Sequence, residues 1–243
     1  MSLYLDIDLD YFVSPIIKQS VSNHRPTAYQ PVQIGEPLDL FHLLQQRGIS
    51  LGDRRYLFIN HMQSHLRWWL HGKKNNVVIH IDAHSDLYGH SHLDLSNLPM
   101  LGCQNYLWHS IREGLVGEIY WVLPENAVDI TDPAILYSMF TPSQVGKIQV
   151  RDHILHAELN CVLPGERPKV IPYHLLKAKD LPVFREPAEI VTVASSPEFI
   201  PRQADQLIYT VGRLVGLDDN LLGKVMGQHQ EMKAIEGDLN EKN

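Results

Sequence analysis

His80-Ile81-Asp82-Ala83-His84-Ser85-Asp86 follows Val77-Val78-Ile79, a β-branched apolar run that reads as a buried strand. Side chains alternate faces along a strand, so Asp82, His84 and Asp86 are expected to leave one side together. Two carboxylates and an imidazole packed that closely are costly without a countercharge. A divalent cation supplies one. Oxygen with imidazole donors suits manganese, iron, zinc or nickel.

A second acidic run opens the chain, Leu5-Asp6-Ile7-Asp8-Leu9-Asp10-Tyr11-Phe12. Asp6, Asp8 and Asp10 fall on one face of an extended segment, and Leu3, Leu5, Ile7 and Leu9 on the other. A solvated edge strand can carry such a pattern. However, Lys or Glu is the commoner solubilising choice there, and no basic residue relieves the repulsion. Two acidic clusters, each ending an apolar strand, are better explained by one shared metal site.

The remaining composition narrows the class. The chain has 243 residues, with 44% hydrophobic and 20% charged residues. That is enough to bury a sizeable core, and one domain over 1–243 is expected. A net charge of −7 disfavours a nucleic-acid partner. Fourteen histidines are the outlier, and metal chemistry is one reason for such enrichment. Cys103 and Cys161 form no Cys-x-x-Cys pair, so neither a disulfide framework nor a thiolate zinc site is indicated. With no signal peptide or membrane-length apolar run in view, the expected setting is a reducing cytoplasm, without membrane attachment.

Strands are expected at 2–9, 56–59, 77–81, 117–123 and 189–194. Helices are expected at 37–46, 63–71, 105–112, near 134–140 and at 203–216. Residues 13–35 read as a long loop, and those beyond about Met226 as a polar, fraying tail. A loose β-hairpin signal covers 148–174 around Pro164-Gly165. Alternation of strand and helix predicts an α/β fold. It is read as a three-layer α/β/α sandwich with a mostly parallel central sheet and the hairpin as an insertion. Chemistry in such sheets gathers at the carboxyl ends of strands. Asp6, Asp8, His61, Asp82, His84, Asp86 and Glu198 all fall at those ends.

Asp82-Ala83-His84-Ser85-Asp86 resembles the Asp-Ala-His-x-Asp signature of the arginase and agmatinase (ureohydrolase) superfamily. Leu5-Asp6-Ile7-Asp8 resembles its Ser-Phe-Asp-x-Asp strand. Asn60-His61 lies where that family places the His of its Gly-Gly-Asp-His stretch, without the glycines and the Asp. The two acidic strands stand in reversed order, as in a circular permutation of an arginase/deacetylase-like fold. Over most of the chain, 5–12 and 190–199 look like a family of arginase-like proteins that includes the peptide arginases of ribosomal-peptide (RiPP) pathways.

The resemblance implies a hydrolase of linear amidines holding two Mn2+ per chain. His61, Asp82, Asp86 and Asp6 would bind one ion, and His84, Asp82, Asp6 and Asp8 the other. Asp86 would relay a proton, with His90 as a further shuttle. Glu198 and His92 would contact substrate, although Glu198 also suits a cap for the helix near Pro201, and loop histidines are often simply solvated. The implied substrate is an arginine-containing precursor peptide, converted to ornithine with release of urea. A free arginine or agmatine ureohydrolase and a zinc-dependent deacetylase-like amidohydrolase are the alternatives. A homo-oligomer is compatible with this reading. His80 is expected to be packed and hydrogen-bonded within the sheet. Asp10 is expected either to support the site or to hold the first loop.

Overall fold

The computed structural model describes residues 1–26, 31–127 and 129–234. In chain order the principal elements are β1 (Leu3–Asp8), α1 (Pro37–Gln46), β2 (Leu51–Phe58), α2 (Gln63–His71), β3 (Asn76–Ile81), α3 (Tyr106–Arg112) and β4 (Val116–Leu123). There follow the single turn α4 (Ala134–Tyr137), β5 (Gln149–Arg151), β6 (Ile154–Val162), β7 (Pro168–Lys177), β8 (Ala188–Ala194), α5 (Gln206–Leu214) and α6 (Asp219–Glu231). The eight strands form one sheet in the order β2-β8-β1-β3-β4-β7-β6-β5. The first six run parallel, and β6 pairs antiparallel with both β7 and β5.

β1 sits at the centre, hydrogen-bonded to β8 on one side and β3 on the other, and every residue in it is buried. Its alternation divides the core. Leu3, Leu5, Ile7 and Leu9 pack with apolar residues of α1, α5 and α6. Tyr4 faces the opposite layer, with Trp68 of α2 and Tyr106, Leu107 and Ile111 of α3. Asp6 and Asp8 share the parity of Tyr4, so the pleat turns both acids towards the α2/α3 layer. Helices on both faces of a mostly parallel sheet give the expected α/β class.

The helix boundaries have local causes. α1 opens with Pro37, whose missing N–H costs nothing in a first turn. α2 closes at Gly72, where φ of 76° lets its N–H reach the Trp68 carbonyl. No helix among the described residues is long and apolar enough to cross a membrane.

The expected hairpin is present as β6 and β7, and β7 also pairs parallel with β4, so the hairpin extends the main sheet. Two other expectations need correction. Residues beyond Met226 do not fray at once: α6 runs to Glu231, held by buried Leu222, Val225 and His229 at helical spacing. Its last inward residue is an imidazole, so apolar periodicity alone did not mark it. Finally, β3 ends at Ile81, and Asp82 to Asp86 is a loop with Asp86 at φ of 49°. Strand alternation therefore does not govern Asp82, His84 and Asp86. Residues 235–243 of the expected tail lie outside the described residues.

Candidate metal centre

Five carboxylates and three imidazoles collect at the carboxyl ends of β1, β2 and β3. Asp6, Asp8, Asp10, His61, His80, Asp82 and Asp86 are buried, and His84 is nearly so. Asp6 on β1 lies opposite His80 on β3 in the parallel register. His61 follows β2 and precedes α2, and its carbonyl accepts from Ser64 N.

Four side chains meet around His61. Its Nε2 donates to Asp6 Oδ2 at 3.0 Å. Its Nδ1 then faces Asp8 Oδ2 at 3.1 Å, Asp82 Oδ2 at 3.0 Å and Asp86 Oδ2 at 3.0 Å. Neither His61 Nδ1 nor Asp82 Oδ2 has a hydrogen-bond partner, though both are buried. The surrounding carboxylates hold the His61 ring well above its ordinary pKa despite its burial, so Nδ1 meets them with a proton. A divalent cation would take the place of that proton, with the neutral ring as one of its ligands. Metal bonds of about 2.0–2.2 Å place neighbouring donors roughly 3 Å apart, which is the spacing found.

Beside it lies a second group. His84 Nε2 is 2.8 Å from the Ile17 carbonyl, which can only accept, so Nε2 carries a proton. His84 Nδ1 faces Asp10 Oδ2 at 2.8 Å and Asp82 Oδ1 at 3.6 Å, and these acids hold the ring well above its ordinary pKa despite its burial. Asp82 thus turns one oxygen to His61 and the other towards His84. Asp8 with His61 and Asp82, and Asp10 with Asp82 and His84, have the ligand types and closeness that a metal ion needs, as do Asp6 with His61 and His80, and His80 with Asp82 and Asp86.

Asp6 stands apart. Its Oδ1 accepts from Ser64 Oγ at 2.7 Å and Thr192 Oγ1 at 2.6 Å. Its Oδ2 accepts from the Tyr106 hydroxyl, His61 Nε2 and His80 Nδ1. These bonds saturate the carboxylate on the far side of the His61 ring. Asp6 with His61 and His80 is close enough to hold an ion, but Asp8 and Asp10 are the β1 acids that line the small cavity at this cluster. His80, whose Nε2 lies 3.1 Å from the His84 carbonyl, is held within the fold as expected.

Electrostatics point the same way. Burial works against the Asp6 carboxylate, but His61 and His80 outweigh it and hold it well below the usual range. Burial and the charges of Asp8 and Asp82 push Asp10 well above that range. Burial and Asp82 push Asp86 up to about 6. The carboxylates compete for too little positive charge, which is the condition that bound cations relieve.

Asp8, Asp10, His61, Asp82, His84 and Asp86 line a cavity of about 90 Å³. Lys18, Tyr88, Cys103, Gln104, Ser196 and Phe199 complete its wall. A wider groove of about 560 Å³ adjoins it, sharing His61, Cys103, Ser196 and Phe199. Glu198 lines this groove with Asn60, Gln63, Lys224 and Gln228, and its Oε1 accepts from Asn23 N at 2.5 Å.

His90 and His92 are not brought to the cluster, and neither lines either cavity. Gln144 Nε2 donates to both of their carbonyls. The His90 ring packs edge-on against Trp108 and donates to the Asp94 carbonyl, while His92 is exposed. The shuttle and substrate roles expected of them find no geometric support.

Sequence reasoning did not single out Ser64, Tyr106, Thr192 or Ser196. Ser196, at φ of 37°, donates to Asp8 Oδ2. Behind it, Ser195 Oγ lies 2.7 Å from His229 Nε2, and His229 Nδ1 lies 3.2 Å from Asp205 Oδ1. Arg25 clasps the same carboxylate with both terminal nitrogens. Ser195 is fully buried, so this chain of groups braces the loop and offers no accessible nucleophile.

Comparison with protein families, curated proteins and solved structures returned no match for the chain.

Proposed function

We propose that this protein is a binuclear manganese hydrolase that converts arginine side chains within a peptide to ornithine, releasing urea. The observation that carries the reading is the convergence of Asp8, Asp82 and Asp86 on the unpartnered His61 Nδ1. His61, Asp8, Asp82 and Asp86 would hold one ion, and Asp10, Asp82 and His84 the other, with Asp82 shared. Asp8-Leu9-Asp10 then plays the part first given to Asp6-Ile7-Asp8. We read the fold as the permuted arginase-like arrangement, supported by β1 and β3 lying side by side although one ends at Asp8 and the other starts at Asn76.

When bound, two divalent cations would acidify a water between them and stabilise charge on the attacked carbon. Asp86, beside His61 and Asp82, would be placed to take a proton from a bound water and return it to the departing amine. Asp6 fixes the tautomer of His61, as a carboxylate behind a metal-binding imidazole does. Glu198 offers a carboxylate matched to a planar, always charged guanidinium. The products balance as arginine plus water giving ornithine plus urea. The groove leading to the cluster has room for more than a free amino acid, which supports a peptide substrate.

Mass spectrometry of an arginine-containing peptide incubated with the enzyme and manganese tests this. Loss of one cyanamide equivalent per arginine is expected, with no turnover of free arginine. Turnover of free arginine alone would reject the peptide substrate. Release of acetate from an acetyl-lysine peptide, with one zinc per chain, would select the deacetylase reading.

A further inference from the structure

His156 on β6 and His174 on β7 are direct partners across the antiparallel pair. Their Nδ1 atoms are 2.8 Å apart. His174 Nε2 lies 3.2 Å from Glu118 Oε1 on β4. An ionised carboxylate only accepts, so the proton of the His174 ring sits on Nε2 and Nδ1 is a lone pair aimed at His156. Tyr120 holds this arrangement from two directions: its hydroxyl donates to the same Glu118 oxygen at 2.8 Å, and its ring packs on His174 at 4.5 Å. None of these four residues lines the cavities of the candidate metal centre.

We propose that His156 and His174 form a second, surface site for a zinc-class divalent cation, with Glu118 positioning the His174 ring. Two imidazole nitrogens about 2.0–2.1 Å from zinc lie roughly 3 Å apart, so only a small separation of the rings is needed. Imidazole donors favour zinc, copper or nickel over manganese, which separates this site chemically from the acid-rich centre. Both rings are half-buried, so water can complete the coordination shell. Burial and the neighbouring His174 lower the His156 pKa, which keeps its ring neutral and able to bind metal. The carboxylate behind His174 matches the backing that metal-bound histidines commonly have.

Calorimetric titration of zinc into the manganese-loaded protein tests the assignment. Wild type is expected to take up one zinc more than His156→Ala. Glu118→Gln is expected to retain that zinc with about 10–100-fold weaker affinity. The difference between wild type and His156→Ala should persist in an Asp82→Asn background, so it can be read even if the strand-end cluster binds nothing. Displacement of the His156 and His174 imidazole proton resonances on zinc addition to wild type provides a second readout, and unmoved resonances would count against the site. Equal zinc uptake and affinity in wild type and His156→Ala would overturn the site and leave the pair sharing only a proton.

Discussion

His61 Nδ1 and Asp82 Oδ2 lie 3.0 Å apart, both buried and neither with a hydrogen-bond partner. Two lone pairs held that close oppose folding unless something positive lies between them. Ligand linkage gives the first prediction. Manganese at about one hundred times its Kd should stabilise the fold by about 2.7 kcal/mol, seen as a rise in Tm. Asp82→Asn should abolish that rise, because Asp82 serves both groups of ligands. An unchanged manganese-dependent rise in that variant would remove Asp82 from the centre.

Asp6 and Asp10 should behave differently although both belong to one acidic run. Asp10→Asn is expected to lose one of two manganese ions per chain and nearly all turnover. Asp6→Asn should keep both sites but bind manganese about 10–100-fold more weakly, because it supports the His61 ring from behind. Metal content by plasma emission, taken with a binding titration, distinguishes these outcomes. The converse pattern would restore Asp6 as a ligand and dismiss Asp10.

Glu198 lines the groove and not the small cavity, so its loss should leave metal content unchanged. Glu198→Gln removes a charge-assisted contact of about 1.5–3 kcal/mol. That corresponds to roughly ten- to hundredfold in kcat/KM for an arginyl peptide. Undiminished kcat/KM would leave Glu198 with only its bond to Asn23.

A pH effect follows from Asp205, well separated in sequence from the acidic runs. Burial alone would raise its carboxyl, but hydrogen bonds from His229 and Arg25 and their charge hold it below the usual range. The folded pKa is thus lower than the unfolded one, so its contribution is complete above the unfolded value of about 3.9 and fades as the pH falls through the folded value. Asp205→Asn leaves the fully buried Arg25 without its ion partner and should cost about 3 kcal/mol at neutral pH. The stability gap between wild type and variant should narrow in acid. A gap unchanged down to the acid transition would contradict the linkage.

Much of the fold was legible because the strands keep simple patterns. Val77-Val78-Ile79 and Ile190-Val191-Thr192-Val193 are buried on both faces of a parallel sheet, and α1 and α2 carry clear boundaries. The acidic cluster was legible as a set, but which β1 acids line its cavity was not. Asp6, Asp8 and Asp10 repeat at the same spacing, so either overlapping Asp-x-Asp pair fits the motif. Ser64, Thr192 and Tyr106 come from α2, β8 and α3 to hydrogen-bond Asp6, which turns it away from the cavity that Asp8 and Asp10 line, and no local pattern announces them. His90 and His92 were misplaced for a related reason. Their position after Asp86 suggested the cavity rim, but Gln144, more than fifty residues on, fixes that loop elsewhere. α6 was missed because a buried His229 takes a place where an apolar residue was sought.

The most direct test of the central claim is anomalous diffraction at the manganese edge from crystals grown with manganese. The account requires two peaks, one bonded to His61 Nδ1 and the other to His84 Nδ1, with the Asp82 carboxylate between them. A refined structure with no peak beside His61, and with its Nδ1 paired to a carboxylate through a proton alone, would contradict it.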